Sequence, residues 1–286
     1  MSNFLTKSVC EAMERIAPLR LASSWDNVGL LLESPVQRQG KRTIMLTTDL
    51  TTSVLDESVA KDTSVIVTYH PTIFRSVKAL TLSNPLQASL LRCAAQGISV
   101  YSPHTSLDTV WGGINDWLAE GCIKNREDGE IRALSEERLN ATSGKSEGAE
   151  GRLVTFREPI LMGELQSRIK AHLKLTHVQV GYAFSKKPLT STIRSIAICA
   201  GSGGDMLVGR NADVYLTGEM MHHDVLAAVA AGKHVILCGH TNTERGYLPL
   251  LAQKLRQELP LQDFQDQGLE VDILVSEQDR HPLEIV

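Results

Sequence analysis

A chain of 286 residues with 42% hydrophobic side chains is long enough to bury a sizeable core, in one large domain or two ordinary ones. Its net charge of −4 sets 29 Lys and Arg against 33 Asp and Glu, with no basic run or aromatic-interleaved basic stripe, so direct nucleic-acid binding is not expected. No apolar stretch approaches the roughly 20 residues that a membrane span needs.

The opening MSNFLTKSVCEAMERIAPLR lacks the layout of a secretory signal and carries acidic residues that transit peptides avoid. Cytoplasmic residence is the expectation, with nucleus and mitochondrion left open. Cys10, Cys93, Cys122, Cys199 and Cys238 are far apart and odd in number, and read as reduced, mostly buried thiols.

In the first half, RTIMLTTDL (42–50) is β-branched and apolar and predicts a strand, and TTSVLDESVAKD (51–62) predicts a capped amphipathic helix. TSVIVTYHP (63–71) is a second strand, stopped by Pro71. NPLQASLLRCAAQG (84–97) is a helix with Gly97 as its C-terminal stop, and ISVYSPHTSLD (98–108) supplies a third short strand. The polar stretch LSEERLNATSGKSEGAEGR (134–152) reads as an exposed, mobile loop. Beyond it, residues 152–184 give a strand, a helix and a strand. IRSIAICAGSGGDML (193–207) then runs from a strand into a glycine-rich turn, and residues 211–233 form a strand and a helix. HVILCGHTNTERGYLPLLAQKLRQEL (234–259) is a strand, a histidine-bearing loop and an amphipathic helix, and LEVDILVS (269–276) is a last strand. Strands alternating with helices argue for an α/β fold with mostly parallel sheets.

Two of these strands end alike. ISVYSPHTSLD and HVILCGHTNTE each close on His-Thr-x-x-carboxylate, giving His104 with Asp108 and His240 with Glu244. Ligands of open α/β sheets bind at the carboxyl ends of strands. A helix starting near Glu244 would put His240 and Glu244 on one face. The preceding strands lead to His70 and to His222 and His223. Imidazoles and carboxylates without thiolates suit a catalytic Zn, Mn or Fe site, for one or two ions. His172, His177, His234 and His281 have no such company. GSGGD (201–205) follows a strand and matches no phosphate-loop fingerprint, so a tight structural turn is favoured over an anion site. Asp26 and Asn27 in SSWDNVGLL (23–31) read as turn formers.

SSWDNVGLL, TYHPTIF, SPHTSLDTVWGGINDWLA, CAGSGGDML, ADVYLTGEMMHHDVL and GHTNTERGY occur in order along nearly the whole chain. Together they resemble the NGG-one-interacting-factor-three family, whose bacterial members carry the label "GTP cyclohydrolase I type 2 homolog". The resemblance implies two similar α/β lobes, each with a mixed, mostly parallel sheet flanked by helices, and a dinuclear metal site in the cleft between them. Expected bounds are 1–134 for the first lobe, 135–151 for a mobile linker and 152–286 for the second lobe. The C-terminal helix and strand are free, on this reading, to pack back on the first. The resemblance also implies a homo-oligomer, a ring-shaped hexamer built from dimers. By motif, its metal ligands fall on Tyr69 and His70, Asp108, His240 and Glu244, with His104 close by. Tyr69 departs from the family's histidine, and a neutral phenol is a poor ligand, which puts one metal position in doubt.

The leading functional expectation is a metal-dependent hydrolase in which His104, His223 or Glu244 relays protons. Its substrate is unspecified: a nucleotide ring, as the family label suggests, a phosphate ester or a cyclic amide. The rival is a non-catalytic metal-binding or interaction scaffold with a protein partner in transcription. Metal acting only as cement between the lobes is the third reading.

Overall fold

The computed structural model describes residues 4–36, 42–184, 189–260, 262, 264 and 270–283. The chain forms two compact units, Met1–Leu107 with Tyr247–Arg280, and Asp108–Gly246 with His281–Val286.

The first unit begins with α1 (Phe4–Ile16), whose apolar stripe Leu5, Val9, Ala12, Met13 and Ile16 recurs at helical spacing and is buried. Then come β1 (Gly29–Leu32), β2 (Arg42–Thr47), α2 (Thr52–Ala60), β3 (Thr63–Thr68), α3 (Pro85–Ala95), β4 (Ser99–Ser102) and α4 (His104–Thr109). Local chemistry sets the helix ends as expected. The Thr51 hydroxyl accepts from the Val54 amide to cap α2, and Asn84 caps α3 through the amides of Leu86 and Gln87, ahead of Pro85. Gly97, at φ +77°, turns the chain out of α3.

The boundary between the units falls inside α4. The second unit continues with α5 (Ile114–Glu120), β5 (Gly129–Ala133), β6 (Arg138–Leu139), β7 (Ser146–Gly148), β8 (Arg152–Leu161), α6 (Met162–Leu173), β9 (Gln179–Gly181), β10 (Thr192–Ile198), α7 (Gly204–Leu207), β11 (Val214–Thr217), α8 (His222–Ala230) and β12 (His234–Leu237). The polar stretch after β5 holds the hairpin of β6 and β7, whose turn is pinned by the Asn140 side chain accepting from the amides of Thr142 and Ser143. The chain then returns to the first unit as α9 (Leu248–Glu258) and β13 (Val271–Val275).

The fold is mixed α/β. The first unit's sheet runs β1-β4-β3-β2-β13, parallel throughout except for β1, which lies antiparallel to β4. The second sheet runs β5-β8-β10-β11-β12-β9, with β10, β11 and β12 parallel and the outer pairings antiparallel. Its central three strands keep the parallel plan expected from the sequence, and antiparallel strands extend both edges. Met45, Val54, Leu55, Ile66 and Val100 pack the first core, and Ala197, Leu207, Tyr215 and Val235 the second. Among the described residues no helix is long and apolar enough to cross a membrane. The cysteines are all free, and burial pushes the thiols of Cys93 and Cys238 up to about 12, which leaves them inert.

Candidate functional site

In each sheet the polar residues of interest gather at the carboxyl ends of neighbouring parallel strands. In the first unit, pairing of β2 and β3 runs on past the strand ends: the amides of Tyr69 and His70 donate to the carbonyls of Thr47 and Thr48, both at 2.9 Å. Tyr69 is buried, 3% exposed, while His70 keeps partial access to water and sets its Nδ1 3.0 Å from Asp49 Oδ1, just beyond β2.

At the end of β4, His104 opens α4 with a left-handed backbone, φ +31°. That conformation costs a non-glycine residue about 1–2 kcal/mol, and such strain concentrates at functional sites. Asp26 holds it in place. Its two oxygens lie 2.8 and 2.9 Å from His104 Nδ1, and one of them also accepts from the amide and hydroxyl of Thr105. Burial pushes the Asp26 carboxyl up, but the hydrogen bonds from His104 and Thr105 outweigh it and hold the group below its ordinary value of 3.8. A carboxyl depressed by folding contributes stability above its unfolded pKa and loses it as pH falls through the folded value. Asp26→Asn is therefore expected to flatten the acid side of the curve of Tm against pH below about 4. An unchanged acid limb in a thermal scan would remove that role.

The Asp26 carboxylate was read from the sequence as a turn former, and the structure adds its grip on His104. Asn27 ties the same loop to the chain after β3, its Nδ2 donating to the Ile73 carbonyl at 2.6 Å.

The second unit builds a counterpart from β10, β11 and β12. His240 follows β12, with Nδ1 2.9 Å from Glu219 Oε1 and Nε2 3.3 Å from Glu244 Oε1. Glu244 is buried, 1% exposed. The helix expected to begin near Glu244 is instead a short 3-10 turn over His240–Thr243, with Glu244 at its end. Side chains brace this turn: Thr243 Oγ1 donates to the His240 carbonyl, Asn242 Nδ2 to the Cys238 carbonyl, and Thr241 Oγ1 meets His281 Nδ1 at 2.9 Å. The histidine and carboxylate thus meet through a 3-10 turn, which the four-residue spacing also permits.

The glycine-rich turn after β10 serves this pair. Its amides are taken by threonines: Gly201 donates to Thr243 Oγ1 at 2.9 Å and Gly203 to Thr217 Oγ1 at 3.0 Å. Both are engaged inside the fold, which bears out the turn reading over an anion cradle. Gly201, at φ +66°, has a further role. A Cβ there would sit 2.7 Å from Glu244 Oε1 and 3.0 Å from His240 Nε2, so only glycine leaves room beside those donor atoms.

Asp108, intermediate in burial, has its backbone carbonyl held by Asn115 Nδ2 at 3.1 Å. Cys199, at the end of β10, senses both acids: burial raises its thiol pKa most, and the charges of Asp108, Glu150 and Glu244 raise it further. His222 and His223 are exposed at the start of α8, their rings 5.4 Å apart. From that segment the residue that meets His240 is Glu219. Asp49, Asp26 and Glu219 were not singled out as partners of histidines in the sequence. A carboxylate lying just past a parallel strand was the available signal for Asp49 and Glu219.

The donor atoms suit a divalent metal: imidazole nitrogens oriented by carboxylates, a buried carboxylate, no thiolate, and space kept by Gly201. Comparison with known proteins agrees with the motif reading. The profile of the Duf34/NIF3 (NGG1p interacting factor 3) family matches residues 4–282. The chain is 43% identical over 281 residues to "Protein NIF3 homolog" of Schizosaccharomyces pombe, covering 98% of this chain and 97% of that one. It is 36% identical to "NGG1-interacting factor 3" of Saccharomyces cerevisiae, with 100% of both chains covered. Its fold is similar to that of a Bacillus cereus protein related to NIF3, with a TM-score of 0.78 at 18% identity, covering 98% of this chain and 99% of that one. On these grounds the chain belongs to the Duf34/NIF3 family.

Proposed function

We propose that this protein is a divalent-metal-dependent hydrolase. The observation that carries the reading is the shared treatment of three histidines: Asp49 meets Nδ1 of His70, Asp26 that of His104, and Glu219 that of His240. An ionised carboxylate only accepts hydrogen bonds, so in each neutral imidazole Nδ1 carries the proton and Nε2 keeps its lone pair; at His240 that lone pair faces the Glu244 carboxylate at 3.3 Å, two electron-pair donors that a cation between them reconciles. Outer carboxylates orient histidine ligands in this way in metal sites.

On this reading His70, Asp108, His240 and Glu244 are the ligands, as the resemblance implies, for one or two ions of Zn, Mn or Fe. Tyr69 stands at a usual ligand position and leaves the second ion weaker. A bound divalent cation supplies Lewis-acid stabilisation of developing negative charge and acidifies water. The chain's own groups do the rest. His104, fixed by Asp26, offers Nε2 to accept a proton and later return it. Glu244 and the exposed His223 are the further proton carriers on this reading. The substrate class is a phosphate ester, a cyclic amide or a nucleotide ring.

Loss of an outer carboxylate weakens metal binding about ten- to hundredfold. Glu219→Gln is expected to do so in a calorimetric titration with Zn or Mn, and equal affinity would remove the oriented-ligand argument. A hydrolysis screen on metal-loaded and chelated protein tests the activity. Turnover that vanishes on chelation and returns with the ion supports it.

Tyr69 favours a second reading, since losing a ligand is one way for a two-metal enzyme to become a binding protein. The yeast relative is named for interaction with NGG1, and this chain would then be a metal-holding scaffold for a protein partner in transcription. Full metal occupancy with no turnover, and partner capture that survives Asp108→Ala, would favour the scaffold. A hexamer built from dimers belongs to either reading and is checked by light scattering.

A further inference from the structure

The first unit leaves two large aromatic side chains in water beside His104. Trp25 is 64% and Phe74 54% exposed. Their rings meet edge to face, with centroids 6.0 Å apart at 71°. Each also faces the imidazole of His104 near a right angle, Trp25 at 6.0 Å and 80°, Phe74 at 6.2 Å and 83°. Exposed aromatic pairs forgo the stabilisation that burial supplies, and a clustered apolar patch of this kind marks a binding place.

The pair is held in position from both sides. Trp25 precedes Asp26, which is fastened to His104 and Thr105, and Asn27 ties the loop to Ile73, next to Phe74. The three residues of Trp-Asp-Asn thus divide the work: one ring offered to solvent, one carboxylate fixing the imidazole, one amide fixing the opposite wall. Tyr69 and His70 close the inner side of the imidazole, with centroids 5.4 and 5.6 Å from that of His104.

A ligand in this corner meets ring faces and the imidazole of His104. Two rings near a right angle let a flat molecule stack on one and take the edge of the other, the arrangements aromatic pairs prefer. The acceptor it offers is Nε2, which in the neutral imidazole keeps a lone pair while Nδ1–H donates to Asp26. The ligand must then present a hydrogen-bond donor, N–H or O–H, from its own plane. Aliphatic chains satisfy neither demand, and a sugar can donate through a hydroxyl but has no flat face to stack.

We propose that Trp25 and Phe74 form a ring-binding subsite for a planar nitrogen heterocycle bearing an amino or ring N–H group, which donates to His104 Nε2. The inference rests on the reading of this strand end as a reaction site and names the substrate class of that site.

The test is binding of adenosine, guanosine and cytidine, with ribose as control, followed by tryptophan fluorescence and calorimetry on the full chain with and without added Zn. At least one nucleoside is expected to bind and quench fluorescence, while ribose does not. Trp25→Ala should abolish the quench, and Trp25→Ala and Phe74→Ala should each weaken binding about ten- to hundredfold, the scale of one base–aromatic stack. Trp25→Phe should restore affinity without the quench. Metal content should stay at the wild-type level in these variants. Conversely, His240→Ala with Glu244→Ala should lose metal and keep nucleoside binding, which separates failure of this inference from failure of the metal reading. No binding by any of the three nucleosides, or binding unchanged in both alanine variants with their far-UV spectra intact, would overturn the subsite.

Discussion

The His240→Ala, Glu244→Ala double variant is expected to fold and to come through gentle purification with almost no divalent metal, where the wild type carries a near-stoichiometric amount. Two donors 3.3 Å apart vanish together, and neither Gly201 nor the braced 3-10 turn offers a replacement ligand. A ligand bound only by the native state stabilises it by mass action, about 2.7 kcal/mol at a hundredfold excess over Kd. For a chain of 286 residues that corresponds to a rise in melting temperature of about 4–5 °C on adding the ion. The rise should disappear in the variant. Glu244→Gln, which keeps side-chain volume, controls for the cavity left by alanine and should lose most of the metal as well. Elemental analysis showing wild-type metal in the double variant would sink the assignment of these ligands. A shift well beyond 10 °C would instead support metal as cement.

The strand-and-helix rhythm was readable because it rests on periodicity and punctuation, both local. Thr51, Asn84, Pro85 and Gly97 end or begin helices through contacts a few residues away, and a single sequence carries that information. The His-x-x-x-carboxylate pair of His240 and Glu244 was readable for the same reason. The outer carboxylates were not. Asp49 reaches His70 across 21 residues, Glu219 reaches His240 across 21, and Asp26 reaches His104 across 78. The first two contacts exist because parallel pairing sets the ends of β2 and β3, and of β11 and β12, side by side, and the third because β1 lies antiparallel to β4. In ADVYLTGEMMHH the adjacent histidines draw attention, yet Glu219, right after the Gly218 that closes β11, meets His240. Gly218 itself shows why the segment is so constrained: a Cβ there would fall 2.6 Å from the Gly201 carbonyl and 2.7 Å from His240 Cα. Nothing in composition or spacing reveals such backbone proximity. The antiparallel edges of the second sheet were equally hidden, since a short buried strand reads the same in either direction.

Asp116→Ala should be among the most destabilising single changes in the second unit, at about 3–5 kcal/mol. Arg152 at the start of β8 is fully buried, 0% exposed, and its guanidinium grips Asp116 in fork geometry, Nε to Oδ1 at 2.8 Å and Nη2 to Oδ2 at 2.6 Å. It lies over the Trp111 ring, 4.2 Å from the centroid. Removing the carboxylate strands a positive charge in the interior. Replacing the pair together, Arg152→Met with Asp116→Leu, should recover part of the loss: the stranded charge is gone, but the carbonyls of Ala149, Gly151, Thr109 and Val110 and the Gly112 amide lose their partner. The same guanidinium donates to the carbonyls of Thr109 and Val110, at 3.2 and 3.0 Å, the peptides immediately after Asp108. An apolar pair restores packing without those two contacts. Denaturant unfolding and metal titration should therefore part company: the double replacement regains part of the stability while its metal affinity stays reduced. Recovery of both would show that Asp108 needs no such hold, or takes no part in binding the ion. Recovery of stability alone would tie the buried ion pair to the metal site through the peptide that follows Asp108.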